Sequence, residues 1–281
     1  MNGHVVIIIA GKNRTLMTIE NIRCVMKHLK YDDYEFIIGS DISEPGHIEA
    51  LSYFLLTTGK KFQFVETLSE NNGLGALINL CNEKAFSLSD NVMFIENDLI
   101  LHKDISIHEY IMGFNSNAFG CVNFRYMLPI GKCLYKTISF NGHEYVYHVP
   151  VSHNSTFTVF GSLMYNRRYY ETLGPVMEIP FGSELGGPEH MMDRRYMDLY
   201  ENGTLFKNGS LMVIDKDHLT ETYNGDAAPF YHIGLKCQHT PGANWNSRMT
   251  RSEYHFLSDD DLDRKFRKLF EPDTNGDATC S

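Results

Sequence analysis

The stretch Asn91 to Asp104, NVMFIENDLILHKD, runs an apolar segment, Val92 to Ile95, straight into Glu96-Asn97-Asp98 and then into a second apolar segment, Leu99 to Leu101. Carboxylates two residues apart point the same way while strand geometry persists, so Glu96 and Asp98 can face one ligand. Hard divalent cations take oxygen ligands, keep several waters and share their sites with phosphates. The chemistry on offer is a metal–diphosphate site. Acidic residues also end strands simply because loops are solvated. Here apolar residues flank the pair on both sides, which puts it at the rim of a buried sheet.

Other chemistries find less support. A strand ending in carboxylates resembles a Walker B element, but the chain has no G-x-x-x-x-G-K-[ST] loop and no G-x-G-x-x-G fingerprint. Gly11-Lys12 follows a strand yet lacks the upstream glycine and the hydroxyl residue. His232, Cys237 and His239 in HIGLKCQH match no common zinc spacing. Cys24, Cys81, Cys121, Cys133, Cys237 and Cys280 form no C-x-x-C pair and read as reduced thiols, Cys81 and Cys121 as buried apolar groups.

The elements that must hold the carboxylates follow from periodicity. Val5 to Ala10 is a β-branched run of the kind covered on both faces. Gly11 to Arg14 breaks it, and Leu16, Ile19, Ile22, Val25, Met26 and Leu29 predict an amphipathic helix. Strands are expected at Glu35–Gly39, Phe62–Val65 and Val92–Ile95, with helices over His47–Thr58 and Leu74–Phe86. This βαβαβαβ order predicts an α/β fold: an open, mostly parallel sheet with helices on both faces, Rossmann-like. Ligands of such sheets bind beyond the C-terminal strand ends, where Lys12, Asn13, Arg14, Asp41, Glu96 and Asp98 all lie.

The second half changes character. Lys136–Val149 predicts a hairpin around Asn141-Gly142, giving an acceptor-side β-hairpin region. Thr156–Tyr165 reads as a strand, Arg167–Thr172 as a short helix and Glu189–Tyr200 as a helix with Pro188 in its first turn. Leu205–Asp215 reads as a second hairpin around Asn208-Gly209, and Asp259–Lys268 as a charged helix before a loose tail. The expected organisation is one compact unit: residues 1–104 bind nucleotide, 105–258 bind acceptor, and 259–281 form the C-terminal helix and tail.

Composition bounds the partners. The chain has 281 residues and a net charge of −10, so total charge predicts no generic attraction to nucleic acid or anionic membrane. No segment reaches the roughly 20 apolar residues of a membrane span, and no export signal is evident. A soluble, intracellular protein is expected.

Taken in order, these motifs resemble the GT-A class of nucleotide-sugar glycosyltransferases, from Val5 to about His232. EFIIGSD looks like the second strand ending in its acidic residue, and ENNGLGALIN like the segment before the helix ahead of the metal motif. VMFIEND looks like the D-x-D strand, written here E-x-D. GSLMYNRRYYETLGPV resembles the acceptor-side strand and helix, GGPEHMMDRRYM the acidic acceptor helix, and FYHIG the late histidine segment. The resemblance implies a metal-dependent transfer of a sugar from a nucleotide-diphosphate donor, UDP by class, to a hydroxyl acceptor. Asp41 would hold the donor's base or ribose, with Arg14 and Asn72 assisting. Asp98 would bind Mn2+ or Mg2+, Glu96 would act through water or the ribose, and His232 would be a further ligand. Glu189, in the first turn of its helix, is the candidate general base, with Asp193 one turn later as its rival.

The acceptor is open between a glycan and a hydroxymethylated DNA base. Small enzymes of this kind resemble phage DNA-modifying transferases, which would place the chain in the cytoplasm of a bacterial or virus-infected cell. The basic clusters Arg167-Arg168, Arg194-Arg195 and Arg264-Lys265-Arg267-Lys268 speak for DNA only if they line one face. Two other classes compete: a sugar-nucleotide nucleotidyltransferase, for which AGKNR is a poor phosphate loop, and a non-catalytic nucleotide- or glycan-binding protein.

Overall fold

The computed structural model describes residues 3–11, 14–41, 46–67, 73–97, 99–124, 134–149, 162–178, 188–219 and 227–232. In chain order its elements are β1 (Val5–Gly11), α1 (Thr15–His28), β2 (Tyr34–Asp41), α2 (His47–Thr58), β3 (Phe62–Thr67), α3 (Gly73–Phe86) and β4 (Asn91–Glu96). Then come β5 (Leu99–Leu101), α4 (His108–Asn115), β6 (Cys121–Asn123), β7 (Leu134–Phe140), β8 (His143–Val149), β9 (Leu163–Asn166) and α5 (Arg167–Leu173). The last are α6 (Pro188–Glu201), α7 (Thr204–Lys207), β10 (Met212–Asp215), a 3-10 turn (Lys216–His218) and β11 (Phe230–His232).

Nine strands form one sheet in the order β3-β2-β1-β4-β9-β6-β10-β8-β7, and β11 pairs with β5 in a separate ribbon. β1, β2, β3 and β4 are mutually parallel. β9 runs against both β4 and β6, so β6 and its parallel neighbour β10 point the same way as β4. β8 opposes β10 and β7 opposes β8, so only β9 and β8 run against the rest. The sheet is therefore open and mostly parallel, as the alternation predicts.

The core explains why the first half was readable. Ile7, Ile8 and Ile9 are each 0% exposed, so both faces of β1 are covered. α1 buries Ile19, Ile22 and Val25, and α3 buries Leu77, Cys81 and Ala85. α3 packs so close to β2 that a Cβ at Gly39 would sit 2.8 Å from Cys81 Sγ. Each such aliphatic contributes about 1.5–3 kcal/mol by leaving water. Asn166 caps α5 by accepting from Tyr169 N at 2.9 Å, and Gly59 ends α2 in the left-handed region (φ 68°).

The Asn141-Gly142 turn joins β7 and β8, with φ of 50° and 81°, the twist a two-residue hairpin needs. The second expected hairpin does not form. Thr204–Lys207 is a helical turn that buries Leu205, and Met212–Asp215 is a strand inserted between β6 and β8. Asn208-Gly209 ends that helix, with Gly209 (φ 61°) against the carbonyl of Asn117. Of the strand expected over Thr156–Tyr165, the described part is β9, and the helix expected over Asp259–Lys268 lies outside the described residues.

Candidate functional site

β1 is the topological switch point: β2 and β3 lie to one side and β4 to the other, and in open sheets of this kind ligands bind beyond the C-terminal strand ends at such a point. Three of the expected site residues meet this edge. Register pairs Ala10 with Glu96 and Gly11 with Ser40, so Arg14, Asp41 and Glu96 are carried to one rim by three adjacent strand ends.

Arg14 leaves β1 in the left-handed conformation (φ 59°, ψ 43°) and caps α1 through its carbonyl, which accepts from Thr18 N at 3.0 Å. A non-glycine residue there is strained, a feature that concentrates at binding sites. Its guanidinium donates from Nη1 to Asn97 Oδ1 at 3.3 Å. Asp41 ends β2, and its Oδ1 accepts from Thr67 Oγ1 at 2.6 Å across the β2–β3 register. That bond fixes one carboxylate oxygen and leaves the acid at the rim.

The E-x-D turn is held from within. Asn21 on α1 is 0% exposed, and its Nδ2 donates to the carbonyls of Glu96 (3.0 Å) and Leu99 (2.8 Å). One amide therefore pins both ends of the turn that carries Asn97 and Asp98. Asn97 turns inward, 4% exposed, with its backbone N donating to Ala10 O. It lies so close to β1 that a Cβ at Gly11 would fall 2.1 Å from its Nδ2. Any larger residue at that point would displace the neighbouring amide. Asn21, Asn97 and Thr67 were not singled out from the sequence. Polar residues on a helix or in a strand tip look solvated until their partners, distant along the chain, are known.

Next to this rim, Thr15 Oγ1 and His47 Nδ1 join the starts of α1 and α2 at 2.8 Å. Burial pushes the His47 imidazole down to about 4. His47 is thus neutral at neutral pH and serves as a hydrogen-bonded strut.

Asn72 and Asp98 lie outside the described residues. His232 is described by its backbone: β11 pairs with β5 so that His232 stands opposite Leu99, the residue after Asp98. The late histidine and the E-x-D turn are therefore neighbours across one antiparallel pair. Glu189 is the second residue of α6, again known by its backbone alone. Asp193 sits on the inward side of α6, 7% exposed among Met192, Tyr196 and Met197, and its charge acts on the Tyr169 hydroxyl.

No protein-family model matches the sequence, and no curated protein matches it. Solved structures do. TarS from S. aureus superposes with a TM-score of 0.51 over 94% of this chain at 11% identity, and this chain covers 43% of that one. TarS 1–349 in complex with UDP gives 0.50 over 94% of this chain and 72% of the other, at 11% identity. The mannosyltransferase PcManGT from Pyrobaculum calidifontis, in complex with GDP-Man and Mn2+, gives 0.50 at 12% identity, covering 79% of this chain and 57% of that one.

The fold is GT-A-like. The chain spans about half the length of TarS and of the mannosyltransferase. Among the described residues no helix is long and apolar enough to cross a membrane.

The pair Arg167-Arg168 does not lie at the rim. β9 runs against β4 and pairs Asn166 with Asn91, so Arg167 and Arg168 follow at the opposite sheet edge. Arg167 bonds Asp90 and lies over the Phe86 ring. Arg168 donates to the carbonyls of Phe114 and Gly209. Arg195 Nη1 donates to the carbonyls of Leu173 (3.0 Å) and Pro175 (2.7 Å). These guanidiniums tie loops together. The cluster Arg264 to Lys268 lies outside the described residues.

Proposed function

We propose that the protein is a glycosyltransferase that moves a sugar from a nucleotide-diphosphate donor, UDP-linked by class, to a hydroxyl on a glycan acceptor. The observation that carries this reading is the convergence of Arg14, Asp41 and Glu96 on the C-terminal rim at the β1 switch point of a GT-A-like sheet. In this reading Asp41 accepts hydrogen bonds from the donor's base or ribose, its other oxygen already oriented by Thr67. Arg14, held by Asn97, places positive charge where the diphosphate would lie. Asn72 would assist on the donor side.

The residues at the rim suit a divalent cation. Glu96, Asp98 and His232 would supply two carboxylates and an imidazole, and the β5–β11 register, which sets His232 opposite Leu99, supports this grouping. The mannosyltransferase among the structural neighbours is complexed with Mn2+. Mn2+ or Mg2+ bound there would offset the charge developing on the departing diphosphate. Asn21 holds the turn for that purpose.

On the acceptor side, Glu189 is preferred to Asp193 as general base. It lies in the first turn of α6, where the helix dipole favours the ionised carboxylate, whereas Asp193 is buried. A glycan acceptor is preferred to DNA because Arg167, Arg168 and Arg195 are committed to internal contacts. The test is turnover: UDP-sugars are supplied with Mn2+ and free UDP release is followed. Release that drops in Glu189→Gln, with UDP binding retained, supports the assignment. No release from any UDP- or GDP-sugar would leave a binding protein.

A further inference from the structure

β10 reads MVID and is followed by Lys216-Asp217, so the chain ends a second apolar strand in a carboxylate pair two residues apart. β10 is parallel in direction to β4, and the two motifs share a sheet edge. Three strand spacings separate β4 from β10, roughly 14 Å, too far for one cation to serve both.

The second pair has a histidine. His143, the first residue of β8, places Nε2 at 2.9 Å from Asp215 Oδ1 and 4.0 Å from Asp217 Oδ2. One ligand atom from each of the three lies within 4.8 Å of the others. With metal–ligand bonds of about 2.1 Å, neighbouring ligands of an octahedral ion are about 3.0 Å apart and opposite ones about 4.2 Å, and the two histidine–carboxylate distances fall at these values to within a few tenths of an ångström. Asp215 is 5% exposed, and Tyr110 Oη donates to its second oxygen at 2.8 Å, the kind of outer contact that orients a ligating carboxylate.

An independent observation points to an occupant. Tyr145 stands opposite Asp215 in the β8–β10 register, is 0% exposed, and has its ring 5.1 Å from that of His143. Among the described residues its hydroxyl has no hydrogen-bond partner, and Asp215 and Glu109 are the charges that act on it. A buried hydroxyl left unpaired is costly. A water on a cation at the cluster, its O–H groups polarised by the ion, would donate to the tyrosine oxygen.

We propose that His143, Asp215 and Asp217 form a second divalent-cation site, for Zn2+ or Mn2+, completed by water on the side where Asp217 is 80% exposed. An imidazole with two carboxylates is a donor set both ions accept. The assignment does not depend on the transferase reading.

The test is calorimetric titration of the metal-stripped full chain with Zn2+ and with Mn2+, without nucleotide. One equivalent is expected to bind and to persist in Asp98→Asn. Affinity is expected to fall at least about 10-fold in His143→Gln and in Asp217→Asn, the latter an exposed change that spares the fold. No binding of either ion, equal affinity in both variants, or loss only in Asp98→Asn would each overturn the site and leave a plain histidine–carboxylate pair.

Discussion

Asn21→Leu removes the amide that spans the E-x-D turn while keeping its branched shape. The wild-type amide donates to Glu96 O and Leu99 O at 3.0 and 2.8 Å from a side chain with no exposure. Losing both donors leaves two buried carbonyls short of a partner, at about 1–3 kcal/mol each. Part of that is recovered, because Asn21 Oδ1 is buried with no partner among the described residues and leaves with the amide. The net expectation is a loss of about 1–3 kcal/mol, read as a lower urea midpoint with an unchanged slope. Asn21→Asp should cost more, since it turns an oxygen toward carbonyls that had a donor. Function should suffer beyond stability: at a temperature where Asn21→Leu is fully folded, metal-dependent UDP affinity should fall at least about 10-fold, the equivalent of 1.4 kcal/mol. If Asn21→Leu binds UDP and Mn2+ as tightly as the native chain, the turn does not need this clamp and the positioning argument fails.

Three further outcomes follow from the same geometry. Gly11→Ala forces a methyl to within 2.1 Å of the Asn97 amide, so Asn97 must move and release Arg14; weaker UDP binding by calorimetry checks this. Asp41→Asn keeps an acceptor for Thr67, so its melting temperature should stay near native, while UDP affinity falls about 10- to 100-fold for the loss of a charged hydrogen-bonding partner. His47, with its folded value at about 4 against 6.5 for the free group, gives full stability above pH 6.5 and loses it as pH falls toward 4, because only the unfolded chain takes up the proton. At about 1.36 kcal/mol per unit the loss approaches about 3 kcal/mol at pH 4. Urea titrations at pH 7.5 and 5 should show that slope diminished in His47→Gln, though not abolished, since burial also lowers His148 to about 4.

The half of the fold built from long local signals was open to reading. VVIIIA, short and β-branched, reads as a strand buried on both faces and is one, and His47 to Thr58 is closed by a glycine that adopts the expected left-handed turn. The rim residues Arg14, Asp41 and Glu96 followed from strand ends and a sheet rule. The second half resisted because its elements are short and their partners remote. β5, β6 and β11 have three residues each, too few to show a period. Met212–Asp215 was read as a hairpin arm because Asn208-Gly209 resembles a hairpin turn; its real neighbours, β6 and β8, lie far upstream. That reading hid the carboxylate pair at Asp215 and Asp217. Asn21 was hidden for a related reason: a lone asparagine on an amphipathic helix looks like surface until the turn it grips is placed against it.

The measurement that bears most directly on the transferase account is calorimetric binding of UDP and of GDP, with and without Mn2+, to the native chain and to Asp98→Ala. The account predicts that one nucleotide binds only with the metal and that Asp98→Ala abolishes the binding. Absence of binding by both nucleotides, or binding indifferent to Mn2+ and to Asp98, would contradict it.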